Sequence, residues 1–458
     1  MKKYLLKGGF VVDGETREVK IADVLVADGI VAEIGENLNA DGAETVDCTG
    51  LYVTAGFVDA HVHTESSMVL PEEFGRAVLP HGTTAMITDP HEIVNVAGAK
   101  GLREYLDRIH MSPADLFVVV PSCVPATPLD TNGAGKFLAE DMKEFVDRKE
   151  VVGLGEVMSY YDVVDGNPEI LDKIALFKGK TIDGHTAGMP EELLDKYVAA
   201  GISDDHECSD KAAMLARYEK GMNIYVREGS AAHNADELLS AVKEFNLDVA
   251  KFAFCTDDIH LTTIEKEGHI SKIVNMALRK GFGWGEVAAM ASYNACRYYG
   301  LGKRGNVRKG YIADIAVVNP DCTKVVCVFK NGEKVAENAK SLLEYNKKAV
   351  LSSDFENTVK FRELAEKDFV IPERLRGVAL ELVDKQLLTL KSELADGEWK
   401  NCNILATIER HGKNGNLSVC ALKNYGIKGG AVATSISHDS HNAVSVSYTH
   451  LRAHETLA

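Results

Sequence analysis

Two histidines one residue apart close the apolar run in TAGFVDAHVHTESS (Thr54–Ser67). Side chains alternate faces along a strand, so His61 and His63 project to the same side, about 7 Å apart along the chain. Two imidazoles so placed can converge on one cation; the bland alternative for a lone His-x-His is a pair of exposed loop histidines. Further candidates stand at the ends of later β-branched runs. Asp89, His91 and Glu92 lie in DPHE after TTAMIT, Glu156 follows VVGLG, His185 ends KTIDGH and His206 ends GISDDH. Arg227 and Glu228 end NIYVRE, with Ser230 just beyond, and Asp257 and Asp258 end KFAFCTDD.

Each residue has an ordinary structural reading. His185 could cap the next segment, His206 could sit in a solvated acidic loop, Asp257 could N-cap a helix, and Arg227 could pair with an acid. Glu156 resists such a reading, because a carboxylate that faces a barrel mouth after VVGLG is costly without a cationic partner. Taken jointly, ligand types end five strands in the order His-x-His, Glu, His, His, Asp. Fifteen histidines spread by chance over the chain would seldom place four there. The pattern reads as a metal site.

The elements that must position these residues alternate regularly from Leu51 to about Gly302. Eight strand candidates, LYVTAGFVDA, TTAMITD, LFVVVPS, VVGLGEV, KTIDGH, GISDDH, NIYVRE and KFAFCTDD, are separated by helical stretches such as PEELLDKYVAA and ADELLSAVKEF. Eightfold alternation predicts an α/β fold closed as a (β/α)8 TIM-like barrel, whose chemistry belongs at the C-terminal strand ends. A doubly wound open sheet is the alternative. Residues 1–52 and 304–338 are β-rich flanks, each too small to fold alone, and predict one composite β-sandwich beside the barrel of residues 53–303. Residues 339–445 predict an incomplete C-terminal α+β domain with a charged, helix-prone start, and in it SHDSHN (Ser437–Asn442) concentrates His438, Asp439 and His441. VSYTHLRAHET in residues 446–458 matches one reading frame of a common sequencing-library adapter. That tail, with His450 and His454, is set aside.

The formal net charge of -17 over 458 residues argues against a nucleic-acid partner and favours a small-molecule substrate. No stretch approaches the roughly 18 apolar residues of a membrane span, and the start lacks a signal-peptide pattern. The nine cysteines form no CxxC pair and read as reduced thiols of a cytoplasmic protein.

GFVDAHVH and the much later GNVRKGYIADIAVV resemble the framing motifs of the amidohydrolase superfamily. Within it, TDPHEI, GEVMSY, DGHTAG, SDDHE, REGSAA, CTDD and SISHDSHN resemble the bacterial adenine deaminases, over essentially Leu5 to Ser445. The resemblance implies two divalent metal ions, Mn(II) or Fe(II) ahead of Zn(II). His61, His63 and Asp257 would hold the buried ion, His185 and His206 the outer one, and Glu156 would bridge them, where many dinuclear members use a carbamylated lysine. It implies hydrolytic deamination of adenine to hypoxanthine and ammonia in purine salvage. The metals lower the pKa of water, hydroxide attacks C6, and Asp257 moves the proton towards the ring or the leaving amine. Glu156 and Asp257 are then the catalytic pair. The candidates to hold the purine are Asp89, His91, Glu92, Arg227, Glu228, Ser230, Asp258, His438, Asp439 and His441. A homo-oligomer, a dimer, is expected. The alternatives are another amidohydrolase reaction, deamination of a related heterocycle or cyclic amide hydrolysis, or a catalytically silent truncated barrel. The missing lysine at the end of strand four counts against a dihydroorotase or hydantoinase.

Overall fold

Eight parallel strands carry the candidate ligands. In the computed structural model, which describes residues 2–344, 352, 355–384, 389–436, 438 and 441–447, they are Phe57–His63, Thr83–Thr88, Asp115–Val120, Val151–Val157, Thr181–Gly184, Asp204–Asp205, Asn223–Arg227, and Phe252–Cys255 continuing as Asp257–Asp258. Each pairs in parallel with its predecessor from the first to the fifth and again from the sixth to the eighth, and the eighth returns to the first through Asp257 opposite Val62. Between the fifth and sixth strands the ladder thins to Ser203 N–H donating to the Ile182 carbonyl at 3.4 Å and Gly184 N–H donating to Asp204 Oδ1 at 2.9 Å. The fold is a TIM-like barrel with additional sheets. Val58, Ala60, Ala85, Ile87, Val119, Tyr225, Ala253 and Cys255 pack together inside it.

The helices follow their apolar spacing. Ala235–Glu244 buries Leu238, Leu239, Ala241 and Val242, the three-and-four pattern of one face, against acidic residues in its first turn. Lys211–Glu219 starts where Asp210 accepts a hydrogen bond from Ala213 N–H.

LYVTAGFVDA, read as one strand, is two. Tyr52–Ala55 belongs to a nine-stranded sheet and Phe57–His63 to the barrel. Gly56 lies at the break, where a Cβ would stand 2.3 Å from Thr84 Oγ1 and only glycine allows so close an approach. A β-branched run on both sides hides that change of sheet.

The nine-stranded sheet combines strands from before and after the barrel. Tyr52–Ala55 runs parallel to Phe10–Val11 and antiparallel to Ile315–Val318. Its core mixes Tyr4, Leu6, Val24 and Val53 from one flank with Ile315, Val317 and Phe329 from the other. This sheet and the barrel belong to one compact unit, Met1–Pro90, Arg103–Ser122 and Leu138–Lys347.

A second unit comprises His91–Leu102, Cys123–Phe137 and Lys348–Ala458. Its six-stranded sheet has the order Thr389–Glu393, Val378–Leu382, Leu417–Lys423, Asn403–Glu409, Asn442–Ser447, Ala431–Thr434. Ile371, Ala379, Ala406, Ile408, Val419 and Ala421 form its core. Part of the helix-prone start expected after Ala339 lies outside the described residues. Among the described residues from 352 onward there is no α-helix, only short 3-10 turns such as Glu366–Phe369, and the helical share of this unit is the first turns of His91–Ile109. No helix among the described residues is long and apolar enough to cross a membrane.

Candidate metal centre

His61 and His63 leave the end of the first barrel strand fully buried, with their Nε2 atoms 3.1 Å apart. The Nδ1 atom of His63 lies 2.8 Å from the Asp89 carbonyl, which fixes the ring and turns Nε2 inward. On the far side of His61, Nδ1 lies 3.7 Å from Asp183 Oδ2. Glu156 faces several imidazoles at once. Its Oε1 stands 3.2 Å from His63 Nε2, and its Oε2 stands 2.5 Å from His185 Nδ1 and 3.2 Å from His206 Nε2. Asp257 Oδ1 is 3.2 Å from His63 Nε2 and 3.9 Å from His61 Nε2. Thus all six candidate ligands of the sequence pattern come together.

Local backbone makes this possible. Asp257 has φ 59°, a left-handed conformation that Asp tolerates better than most residues, at the step between the two parts of strand eight. Glu156 N–H donates to Asp89 Oδ2 at 3.0 Å, and its carbonyl accepts from Ser122 Oγ at 2.5 Å.

The electrostatics of the cluster are those of charges held in place by each other. Burial works to raise the Glu156 carboxyl, yet His185, His206 and His63 hold it well below the usual carboxylate range. Burial likewise opposes ionisation of Asp257, and His63 and Arg227 hold it well below its ordinary value. His61 is pushed well down by burial and by the neighbouring His206 and His63. His63 goes the other way: burial would lower it, but the carboxylates of Asp257 and Glu156 raise it well above the ordinary imidazole value.

The residues fit divalent metal ions. Among the described residues, the donor atoms of these six fall in three sets, each within 4.8 Å: His61, His63 and Glu156; His61, His206 and Asp257; Glu156, His185 and His206. Glu156 belongs to two of the sets, with one oxygen towards each. The Nε2 atom of His206, 3.2 Å from Glu156 Oε2, is buried without a hydrogen bond, which leaves that nitrogen open to a cation. Mixed imidazole and carboxylate donors suit Mn(II), Fe(II) or Zn(II).

The residues expected to meet a purine fall out differently. Asp89 is fully buried and holds the backbone of Glu156. Arg227 forms ion pairs, donating to Asp257 Oδ2 at 2.7 Å and to both oxygens of Glu207. Glu228 pairs with His233 and Lys272 at 2.8 and 2.9 Å. Ser230 Oγ lies 2.8 Å from Thr263 Oγ1 and accepts from His260 N–H, and Asp258 accepts from Ser66. His91, Glu92, His438 and His441 belong to the second unit and cluster there. His438 Nδ1 and His441 Nε2 lie 2.9 and 2.5 Å from the two Glu92 oxygens, and Arg410 Nη2 lies 3.1 Å from His441 Nδ1. Burial works against ionisation of Glu92, but His438 and His441 hold its carboxyl well below the usual range. Asp439 lies outside the described residues.

Two supporting acids were not singled out from the sequence. Glu207, beside His206 in SDDHE, pairs with Arg227. Asp59 lies two residues before His61 and so on the same strand face. It accepts from Thr256 N–H at 3.0 Å and its Oδ2 stands 3.2 Å from His269 Nε2, which ties strand one to strand eight beneath the ligands. The period-2 rule that pairs His61 with His63 also reaches Asp59.

A parallel barrel with imidazoles and carboxylates gathered at its C-terminal strand ends is the amidohydrolase arrangement, and the amidohydrolase family profile matches residues 52–335. Solved structures with the same fold include a beta-aspartyl dipeptidase of Fervidobacterium islandicum, TM-score 0.58 at 14% identity over 76% of this chain and 99% of that one. A dihydropyrimidinase of Brevibacillus agri gives 0.56 at 17% identity, over 74% and 96%. The adenine deaminase C-terminal domain profile matches residues 384–451. Adenine deaminase 2 of Carboxydothermus hydrogenoformans is 39% identical over 451 residues, 96% of this chain and 78% of that protein. The adenine deaminase of Bacillus velezensis is 38% identical with the same coverage. The chain belongs to the adenine deaminase family of the amidohydrolases.

Proposed function

We propose that the protein hydrolyses adenine to hypoxanthine and ammonia, with two divalent metal ions, manganese or iron(II), as cofactors. His61, His63 and Asp257 would hold one ion and His185 and His206 the other, with Glu156 shared by both. The observation that carries this reading is the division of Glu156: Oε1 faces His63, and Oε2 faces His185 and His206. The names of the most similar relatives support adenine as the substrate.

When bound, the cations supply the Lewis acidity that brings the pKa of water towards neutrality. The chain's own groups do the rest. Water oxygen bonds to C6 of adenine, and Asp257 takes the proton released, using the oxygen that faces the histidines. Returned to the exocyclic nitrogen, that proton lets the C6–N bond break and ammonia depart. Because His63 Nδ1 is committed to the Asp89 carbonyl, its Nε2 cannot turn away from the site. The nine cysteines, none in a disulfide, support a reducing, cytoplasmic setting.

The test is ammonia release from adenine beside adenosine, guanine and dihydroorotate, using protein loaded with manganese. Release from adenine alone, abolished by chelation and restored by manganese, is expected. Chelator-sensitive release from another substrate only would keep the metal centre and discard adenine.

A further inference from the structure

Among the described residues, Arg227 is the one arginine or lysine paired with Asp257. It is 2% exposed, and its donors are spoken for: Nη1 donates to Asp257 Oδ2 at 2.7 Å and to Glu207 Oε1, Nη2 to Glu207 Oε2 at 3.1 Å, and Nε to Asn234 Oδ1 at 3.2 Å. A guanidinium has five N–H donors in a rigid planar fork. Four are used in these contacts, which leaves little to recognise a purine edge. The two acids that it joins are themselves buried, with side chains 5% and 7% exposed. Glu207 Oε1 also stands 3.6 Å from His206 Nε2 and 3.9 Å from His185 Nδ1. A carboxylate that close to two candidate ligands competes for the same cation unless something holds it back.

We propose that Arg227 and Glu207 are positioning residues for Asp257. The guanidinium grips Oδ2, so that Oδ1 alone is presented to the histidines, and the bidentate pair with Glu207 fixes the guanidinium while keeping Glu207 out of the ligand set. Neither residue contacts the purine. Asp257 sits on a left-handed backbone, and the grip of Arg227 on Oδ2 at 2.7 Å leaves Oδ1 as the oxygen 3.2 Å from His63 Nε2. The expected cost of losing that selection is a reacting group misplaced by about 1 Å, or roughly a 100-fold fall in turnover. The adenine half of the test rests on the function proposed above; the metal half does not.

The experiment uses the full chain loaded with manganese, as wild type, Arg227→Lys and Glu207→Gln. Three quantities are read: bound manganese per chain, the Mn(II) electron paramagnetic resonance spectrum without substrate, and kcat and KM for adenine. Arg227→Lys keeps the charge and loses the fork, so kcat is expected to fall about 100-fold with KM within about threefold, and the resonance spectrum to change. Glu207→Gln is expected to change the same quantities in the same direction, by about tenfold in kcat. A rise in KM with kcat retained would place Arg227 on the purine and overturn the proposal. A wild-type spectrum and kcat in both variants would overturn it as well. Should Arg227→Lys fail to fold, Glu207→Gln decides alone, a wild-type result there counting against the pair. If the wild type releases no ammonia from adenine, the function reading falls, and the substrate-free spectra still decide whether Arg227 and Glu207 orient Asp257.

Discussion

Gly155→Ala isolates the support beneath Glu156. The residue sits on the fourth strand just before Glu156, and a Cβ built there would stand 2.2 Å from Asp89 Oδ2 and 2.7 Å from Asp89 Cγ. Contact at that spot needs about 3.2 Å, so the carboxylate or the strand must yield by roughly 1 Å. The same Oδ2 accepts Glu156 N–H at 3.0 Å, and a retreat of that size takes the pair out of hydrogen-bond range. Gly155 has no positive φ, so the methyl group adds no conformational strain of its own. Loss of a buried hydrogen bond to a charged acceptor costs about 1.5–3 kcal/mol and overpacking about 1–3 kcal/mol. We expect a destabilisation of about 2.5–6 kcal/mol, and a loss of turnover of about 100-fold because Glu156 moves with its backbone. Denaturant unfolding, manganese stoichiometry and ammonia release measure the three consequences. A Gly155→Ala protein within about 0.5 kcal/mol of wild type, with full metal loading and turnover within twofold, would refute the claim that Asp89 positions Glu156.

Glu156→Gln, which removes the charge shared by three imidazoles, is expected to lower metal occupancy and activity together; full two-metal loading in that variant shows that Glu156 does not bridge. Asp257→Asn keeps a residue that tolerates the left-handed backbone, and it is expected to cost far more in kcat than in adenine binding. A variant that retains most of its turnover removes Asp257 from proton transfer. At the flank, burial works to raise Asp13, but hydrogen bonds from Asn306, Thr16 and Arg308 hold it below the ordinary range. A depressed pKa contributes stability that is present above the unfolded value of about 4 and lost as pH falls through the folded one. The stability advantage of wild type over Asp13→Asn should therefore shrink on acid titration below about pH 4, and an advantage unchanged at pH 2 would contradict the assignment.

The cluster of candidate ligands was legible because strand ends and residue type coincide. A period of two brings His61 and His63 together, and β-branched runs ending in Glu156, His185, His206 and Asp257 mark the rest. The orientation of side chains around them was not legible. Arg227 could face a ring or an acid with the same neighbours in sequence, and only the packing of strand seven against strand eight, Arg227 opposite Cys255, brings its fork to Asp257. Nor did periodicity reveal where one sheet ends and another begins, since Val53 and Val58 look alike in a pattern and differ only in what Gly56 lets approach. Asp89 was legible as a polar strand-end residue, but whether it meets a ligand or a neighbouring strand is decided by Gly155, a position whose meaning lies in what is absent from it.

The charge balance of the centre gives these details one cause. Glu156, Asp257 and Glu207 place three carboxylates in a buried space where an uncompensated charge is prohibitively costly. Arg227 answers two of them. The remaining compensation falls on imidazoles: against the effect of burial, Asp257 and Glu156 raise His63 well above its ordinary value. A bound cation would take over that duty. Protein architecture therefore prepares the site by oversupplying negative charge, and it limits the excess by tying Glu207 to Arg227. On this argument the guanidinium matters to the centre although it is no ligand, because it pairs with a carboxylate whose Oε1 stands 3.6 Å from His206 Nε2.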